Sequence, residues 1–169
     1  GITTDMASIT GGFFAVTHGT GEVDSAANFT NIIGSGGADI IAGDEADNYL
    51  EGAVGMDQLF GAGGNDTLSG GSNIDILDGG EGDDILRGGG NDDELTGGDG
   101  DDTLEGNNGD DTFNAGNGQD SFDGGAGDDL LDYSVHSAAS SIDVTLDGST
   151  PAIVTVAGSV DDTVVNVEH

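Results

Sequence analysis

Ten aspartates fall on one nine-residue grid: Asp39, Asp57, Asp66, Asp75, Asp84, Asp93, Asp102, Asp111, Asp120 and Asp129. Asn48 fills the one remaining grid point. Carboxylates at a fixed period suit two chemistries, acid–base work in pairs or the binding of hard cations in series. Pairs such as Asp83-Asp84, Asp101-Asp102 and Asp128-Asp129 could mimic a general acid and base. The grid explains them better: the second Asp is a ligand and the first a solvated neighbour. His18, His136 and His169 are scattered, with no H-E-x-x-H spacing, and read as surface or cap residues. Asp99-Gly100-Asp101 lacks the remaining ligands of an EF-hand.

The grid belongs to a repeat. Counting in nines from Gly34 gives eleven blocks, through Asp132, without insertion or deletion. Position six is the grid aspartate. Position eight is apolar in every block, from Ile41 and Leu50 to Phe113, Phe122 and Leu131. Position one is Gly in all blocks but that of Ala115. Position four is Gly except at Ala46, Asn73 and Asn91, and Asn tolerates the left-handed backbone that Gly adopts. The glycine-rich first six residues predict a turn, and the last three a very short strand around one buried apolar side chain. Such a strand must pair with copies of itself. Two blocks close one coil, so residue i stacks on residue i+18, about 4.8 Å away. Eleven half-coils predict five and a half coils, on the order of 26 Å long.

Stacking in eighteens sorts the grid into two columns. One holds Asp39, Asp57, Asp75, Asp93, Asp111 and Asp129, the other Asn48, Asp66, Asp84, Asp102 and Asp120. Carboxylates about 5 Å apart repel by roughly 1 kcal/mol in water and roughly 3 at an effective dielectric of 20. The bare array is therefore expected to repel itself, and a divalent cation between turns reverses the sign. Carboxylate and carbonyl oxygen, without nitrogen or sulfur, select calcium over magnesium, which wants a tight octahedron with retained waters.

Composition narrows the rest. The 169 residues carry 34 Asp and Glu against one Arg and no Lys, a net charge of −33. Nothing here neutralises phosphates, so nucleic acid is excluded as a natural partner, and the charge argues against an anionic membrane surface. The lone Arg87 reads as a local ion pair. Without Lys there is no Walker-type loop or Schiff base, and without Cys no disulfide or thiolate chemistry. No G-x-S-x-G elbow is present, and no apolar run approaches the roughly 18 residues of a membrane span. Position three carries no rank of Thr, which disfavours an ice-binding face.

The blocks resemble the RTX, or hemolysin-type, nonapeptide G-G-x-G-x-D-x-U-x, with U a large apolar residue. Gly79–Arg87 and Gly97–Glu105 match it fully, and the resemblance covers 34–132. It implies an all-β fold, a parallel β-roll with two nonapeptides per coil. It further implies that each calcium lies between turns 18 residues apart, held by position-six carboxylates and turn carbonyls such as those of Gly80, Gly82, Gly98 and Gly100. Five plus four inter-turn gaps allow nine ions. Asn48 and Ala46 weaken one gap, which makes eight the expected number. At millimolar calcium and a dissociation constant of about 0.1 mM, each site contributes roughly 1.5–2 kcal/mol, and eight about 12–16. Calcium-triggered folding is therefore expected, with the chain loose in a micromolar-calcium cytosol and folded outside. Export unfolded through a type I secretion channel is what the resemblance implies.

The flanks lack the strict repeat. Residues 1–33 are expected to supply lead-in strands, around Gly12–Thr17 and Asn28–Ile33, with Ile32 already in the apolar register. Residues 133–169 are expected to supply capping strands around Ile142–Leu146, Val154–Val156 and Val165–Val167, with turns at Asp147-Gly148 and Gly158-Ser159. Val16-Thr17 and Asp24–Phe29 align, at a constant offset of 138, with Val154-Thr155 and Asp162–Val167. That predicts one unit of a longer protein with tandem copies. No secretion signal of the family's kind is read at the C-terminal end.

The sequence thus reads as a non-enzymatic, monomeric, calcium-binding module of a secreted or cell-surface bacterial protein. It would stiffen and position neighbouring domains. The alternative is a polysaccharide- or surface-binding accessory module of an extracellular enzyme or adhesin. Outward positions seven and nine would carry that role, and they are mixed (Tyr49, Phe60, Arg87, acids).

Overall fold

A strand of three residues has too few backbone hydrogen bonds to persist, and the chain solves this by lengthening it. The computed structural model describes residues 13–18, 22–27, 30–114, 116–132, 142–145, 152–156 and 159–165, with side chains for 30–114 and 116–132. Most roll strands span six residues. They take positions seven to nine of one block and continue through positions one to three of the next. The expected division into a six-residue turn and a three-residue strand is therefore corrected. Residues at positions two and three pair with their equivalents 18 residues away as readily as β-formers do, while position one drops out of each register. The turn shrinks to positions four to six.

The strands are β1 (Phe13–His18), β2 (Glu22–Ala27), β3 (Asn31–Ile33), β4 (Asp39–Ala42), β5 (Tyr49–Val54) and β6 (Gln58–Gly63). Then come β7 (Thr67–Ser72), β8 (Ile76–Glu81), β9 (Ile85–Gly90), β10 (Glu94–Asp99), β11 (Thr103–Asn108) and β12 (Thr112–Asn114). β13 (Ser121–Ala126), β14 (Leu130–Asp132), β15 (Ile142–Thr145), β16 (Ala152–Val156) and β17 (Ser159–Val165) complete them. Among the described residues every element is a strand. Even-numbered strands β4 to β14 form one parallel stack, and odd-numbered strands β3 to β13 form the other. Every pairing within a stack has an offset of 18, as in Leu50↔Leu68 and Leu77↔Leu95. Twelve strands at two per coil make six coils, half a coil more than the nonapeptides alone, because Asn31–Ile33 pairs with β5.

The core is one file of side chains between the two sheets. Ile32, Ile41, Leu50, Leu59, Leu68, Leu77, Leu86, Leu95, Leu104, Phe113 and Phe122 are buried, and Leu131 packs against them. Phe113 and Phe122 meet edge to face at 5.9 Å between ring centroids, where the larger rings close the file.

Both ends are extended by strands from outside the nonapeptides. β1 pairs with β4 and with β2, which lengthens the even sheet to eight strands. β17 pairs in parallel with β13, and β16 and β15 follow antiparallel, which lengthens the odd sheet to nine. The expected turn at Asp147-Gly148 lies outside the described residues, as does Gly158 of the other turn.

Positions two and four hold the left-handed backbone. Asn73 and Asn91, at position four, have φ of 81° and 77°, as their residue type predicts. Ala46 instead keeps a negative φ, and its amide donates to Asp44 Oδ1 at 3.1 Å. At position two, Ala53 and Ala62 are held at φ 82°, where other turns use Gly71, Gly80, Gly89 or Gly98. A left-handed alanine costs roughly 1–2 kcal/mol, and glycine gives back roughly 0.5–1 in unfolded-chain entropy. Ala62→Gly is therefore expected to raise the melting midpoint in calcium, by about 0.5–1 kcal/mol of stability. A lower midpoint in a thermal melt would show that the alanine is not strained.

Candidate metal centre

Each grid aspartate closes a turn and leads into a strand, and this fixes both its amide and its carboxylate. The amide of Asp66 donates to Oδ1 of Asp84 at 2.7 Å, and that of Asp84 to Oδ1 of Asp102 at 2.8 Å. The same rung joins Asp39 to Asp57, Asp57 to Asp75, Asp75 to Asp93, Asp93 to Asp111, and Asp111 to Asp129. Asn48 donates to Asp66 and Asp102 to Asp120 in the same way. Every inter-turn gap therefore holds one carboxylate anchored by the turn before it. All ten aspartates and Asn48 are buried, the most exposed at 7 %.

Anchoring uses one oxygen of each carboxylate. The other oxygen, Oδ2, is buried without a hydrogen-bond partner in Asp57, Asp66, Asp75, Asp84, Asp93, Asp102, Asp111 and Asp129. Buried polar atoms in native proteins are nearly always satisfied. Eight charged acceptors left bare in one small fold call for a common partner. Asp39 differs, since its Oδ2 accepts the Ser35 amide at 2.6 Å. At the neutral grid point, Asn48 Oδ1 accepts the Asp44 amide at 2.9 Å.

The neighbouring oxygens come from the backbone. A Cβ built on Gly79 would meet both Asp84 Oδ2 and the Gly97 carbonyl, the latter at 2.7 Å. On Gly70 it would meet Asp75 Oδ2 at 2.5 Å and the Gly88 carbonyl at 2.8 Å. A carboxylate oxygen and a carbonyl oxygen thus flank the same small space, turn after turn. In these turns position one is glycine because the backbone there runs against both. Among the described residues no three carboxylate or imidazole groups converge on one point, so carbonyls must complete any donor set. The oxygen-only donors and orphaned Oδ2 atoms fit a hard divalent cation.

Burial dominates the electrostatics. It pushes the carboxyls of Asp66, Asp75 and Asp84 up to about 6, and those of Asp93 and Asp102 up to about 7. In each case the rung hydrogen bond pulls the value back down, and nearby carboxylates add a smaller upward push. Asp57, Asp111 and Asp129 are raised for the same first reason. The expected repulsion between neighbouring carboxylates is thus present, but it is not the first cause. Loss of water around each carboxylate is the larger cost.

The sequence pattern did not single out the carbonyls of position one, including those of Gly70, Gly79, Gly88 and Gly97. Glycine at position one in nearly every block was the available signal. Of the glycines named from the sequence, the Gly80 carbonyl lies against Gly98 and the Gly82 carbonyl against Gly100. The Gly98 carbonyl already accepts the Asn117 amide at 2.7 Å, so only its second lone pair can face a cation. A second ladder runs along the exposed position five. Asp83 Oδ1 accepts the Asp101 amide at 3.0 Å, and Asp101 Oδ1 accepts that of Gln119 at 2.9 Å. These first members of the acidic pairs do more than solvate: they tie turn to turn, in the opposite sense to the buried ladder. Arg87 Nε donates to Glu105 Oε2 at 2.8 Å across one coil, an exposed pair worth at most about 1 kcal/mol.

The model of the RTX calcium-binding nonapeptide repeat matches in four copies, over residues 33–68, 60–95, 69–104 and 96–131. The chain belongs to the RTX calcium-binding nonapeptide-repeat family. The matched span is the described roll, and membership makes that roll a calcium-binding module rather than a catalytic one. Comparison with curated proteins returns no match. No helix among the described residues is long and apolar enough to cross a membrane.

Proposed function

We propose that this RTX roll is a calcium-triggered folding module that acts after export, stabilising and positioning the domains joined to it. The observation that carries the reading is the set of eight buried, partnerless Oδ2 atoms, on eight of the ten grid aspartates. Asp39, Asp57, Asp66, Asp75, Asp84, Asp93, Asp102, Asp111, Asp120 and Asp129 would hold the ions. Turn carbonyls, including those of Gly80, Gly82, Gly98, Gly100 and the position-one glycines, would complete the donor sets. About eight ions are expected on the charge and gap arithmetic. When bound, calcium supplies charge neutralisation and extra oxygen coordination, and no reaction.

The location follows from concentration. Sites of this kind load at the millimolar calcium found outside cells and stay empty at cytosolic levels. A chain that needs the ion to fold is thereby kept loose before export and set afterwards. This supports a secreted or surface-bound protein. The division into flank 1–33, roll 34–132 and flank 133–169 belongs to the same proposal. A polysaccharide-binding role gains no support from Tyr49 and Phe60, which sit in opposite sheets and share no stacking platform.

Calcium counting tests the reading. Isothermal titration of the intact chain should give about eight ions. Asp84→Asn keeps an Oδ1 for the Asp66 amide but removes the charge. It should still fold, bind at least one ion fewer, and lose roughly 1.5–2 kcal/mol in millimolar calcium. Wild-type stoichiometry in this variant would remove Asp84 from the ligand set.

A further inference from the structure

The strands at the two ends of the chain are versions of one hairpin. β1 and β2 pair with Phe14↔Ala26, Ala15↔Ser25 and Val16↔Asp24. β16 and β17 pair with Ala152↔Val164, Ile153↔Thr163 and Val154↔Asp162. Adding 138 to each residue of the first set gives the second. The offset that aligns the two segments in sequence therefore also aligns three consecutive pairs of their register. Beyond Val154 the second hairpin shifts by one, with Thr155 opposite Val160, where the counterpart of Thr17↔Val23 would set Asp161. Sequence likeness alone could arise by chance over so short a stretch. Three consecutive matching pairs, in hairpins that join different sheets, are an independent observation.

The two hairpins are used differently. At the front of the roll, β1 carries the contact, antiparallel to β4, and the far side of β2 is the outer edge of its sheet. At the back, β17, the counterpart of β2, carries the contact. It pairs in parallel with β13 through Ser121↔Thr163, Phe122↔Val164 and Asp123↔Val165. The hairpin thus has two working edges, and this chain uses one at each end.

We propose that the outer edge of β2 receives the last odd-sheet strand of another copy of this roll. Carrying the β13–β17 register back by 138 sets Ser121, Phe122 and Asp123 of that copy opposite Ser25, Ala26 and Ala27. The odd sheet of one roll then continues through the hairpin into the even sheet of the next. Each hairpin is a splice between rolls, and tandem copies form one rod rather than beads on a string. In the present chain β15 holds the edge of β16 where a following β4 would pair, through Val144↔Val154. A following roll replaces β15 there, because β4 brings a whole stack of coils with it.

The test joins two copies, with residues 1–151 followed directly by 14–169. In millimolar calcium, small-angle scattering should show one stiff rod of about twice the single-chain length. Two rolls tumbling independently would overturn the proposal. The chain has no cysteine, so an introduced pair reports alone. Ser121→Cys in the first copy with Ser25→Cys in the second should form a disulfide, since paired strands lie within its reach. A shifted pair, Ser121→Cys with Glu22→Cys, should cross-link at least ~10-fold less. Equal cross-linking of both pairs, or none while circular dichroism shows both rolls folded, would also overturn it. The cysteine-free scattering decides the matter if the substitutions impair folding.

Discussion

In excess EDTA at neutral pH, the roll is expected to lose its β-signal in one cooperative step and to regain it when calcium is restored. Eight carboxylate oxygens are buried without partners when no cation is bound. An unsatisfied buried acceptor costs about 1–3 kcal/mol, and more when charged, so eight cost at least about 8–24. Ordinary domains have only about 5–15 kcal/mol to lose. The core cannot cover that cost, being a single file of one side chain per half-coil. The transition should be steep because every coil pairs only with its neighbours, and an open gap deprives the next turn of its template. Magnesium at the same concentration should restore little, since it holds its waters and tolerates irregular carbonyl sites poorly. Far-ultraviolet circular dichroism during chelator titration is the measurement. A β-signal unchanged by EDTA would sink the claim that cations complete the buried sites.

The coil, its period and its core were legible because each rests on a side chain the repeat cannot change. Leu77 must face inward, Asp84 must close a turn, and the spacing of nine admits two blocks per coil. Ile32 was legible for the same reason, one block ahead of the first glycine. The strand length was not legible. Glycines at positions such as 71, 80 and 89 signal a turn by type, yet here they extend the ladder, because backbone pairing does not consult side chains. The role of position five was hidden too. Asp83 and Asp101 look like solvated neighbours until the chain is coiled, and only then does each reach an amide 18 residues away. The size of the desolvation penalty was hidden on similar grounds. Spacing alone reveals how close two carboxylates lie, but not how completely each loses its water.

Acid is expected to do part of what calcium does. The carboxyls of Asp66, Asp75, Asp84, Asp93 and Asp102 stand at about 6 to 7 in the folded roll, above the ordinary 3.8 of an exposed aspartate. A carboxyl whose value is raised by folding binds its proton more tightly in the folded state. Its protonation therefore favours folding. The benefit is complete below about 4, declines as pH rises, and is gone above about 7. This is the reverse of common acid denaturation, where carboxylates paired in the native state must take up protons to unfold. A geometric reason stands behind it. Asp84 Oδ2 and the Gly97 carbonyl face one small space, and two bare oxygens there repel. A proton on Oδ2 turns one acceptor into a donor, as a cation would bridge the pair. In calcium-free buffer the β-signal should thus be absent at pH 7.5 and grow toward pH 5, which stays above the pI of 4.1 and avoids precipitation. Calcium affinity should weaken over the same interval, because protons and the cation compete for Oδ2. Circular dichroism against pH, with and without calcium, checks both signs. A calcium-free chain that stays unfolded down to pH 5, or that orders as pH rises, would show that burial does not hold these carboxyls protonated.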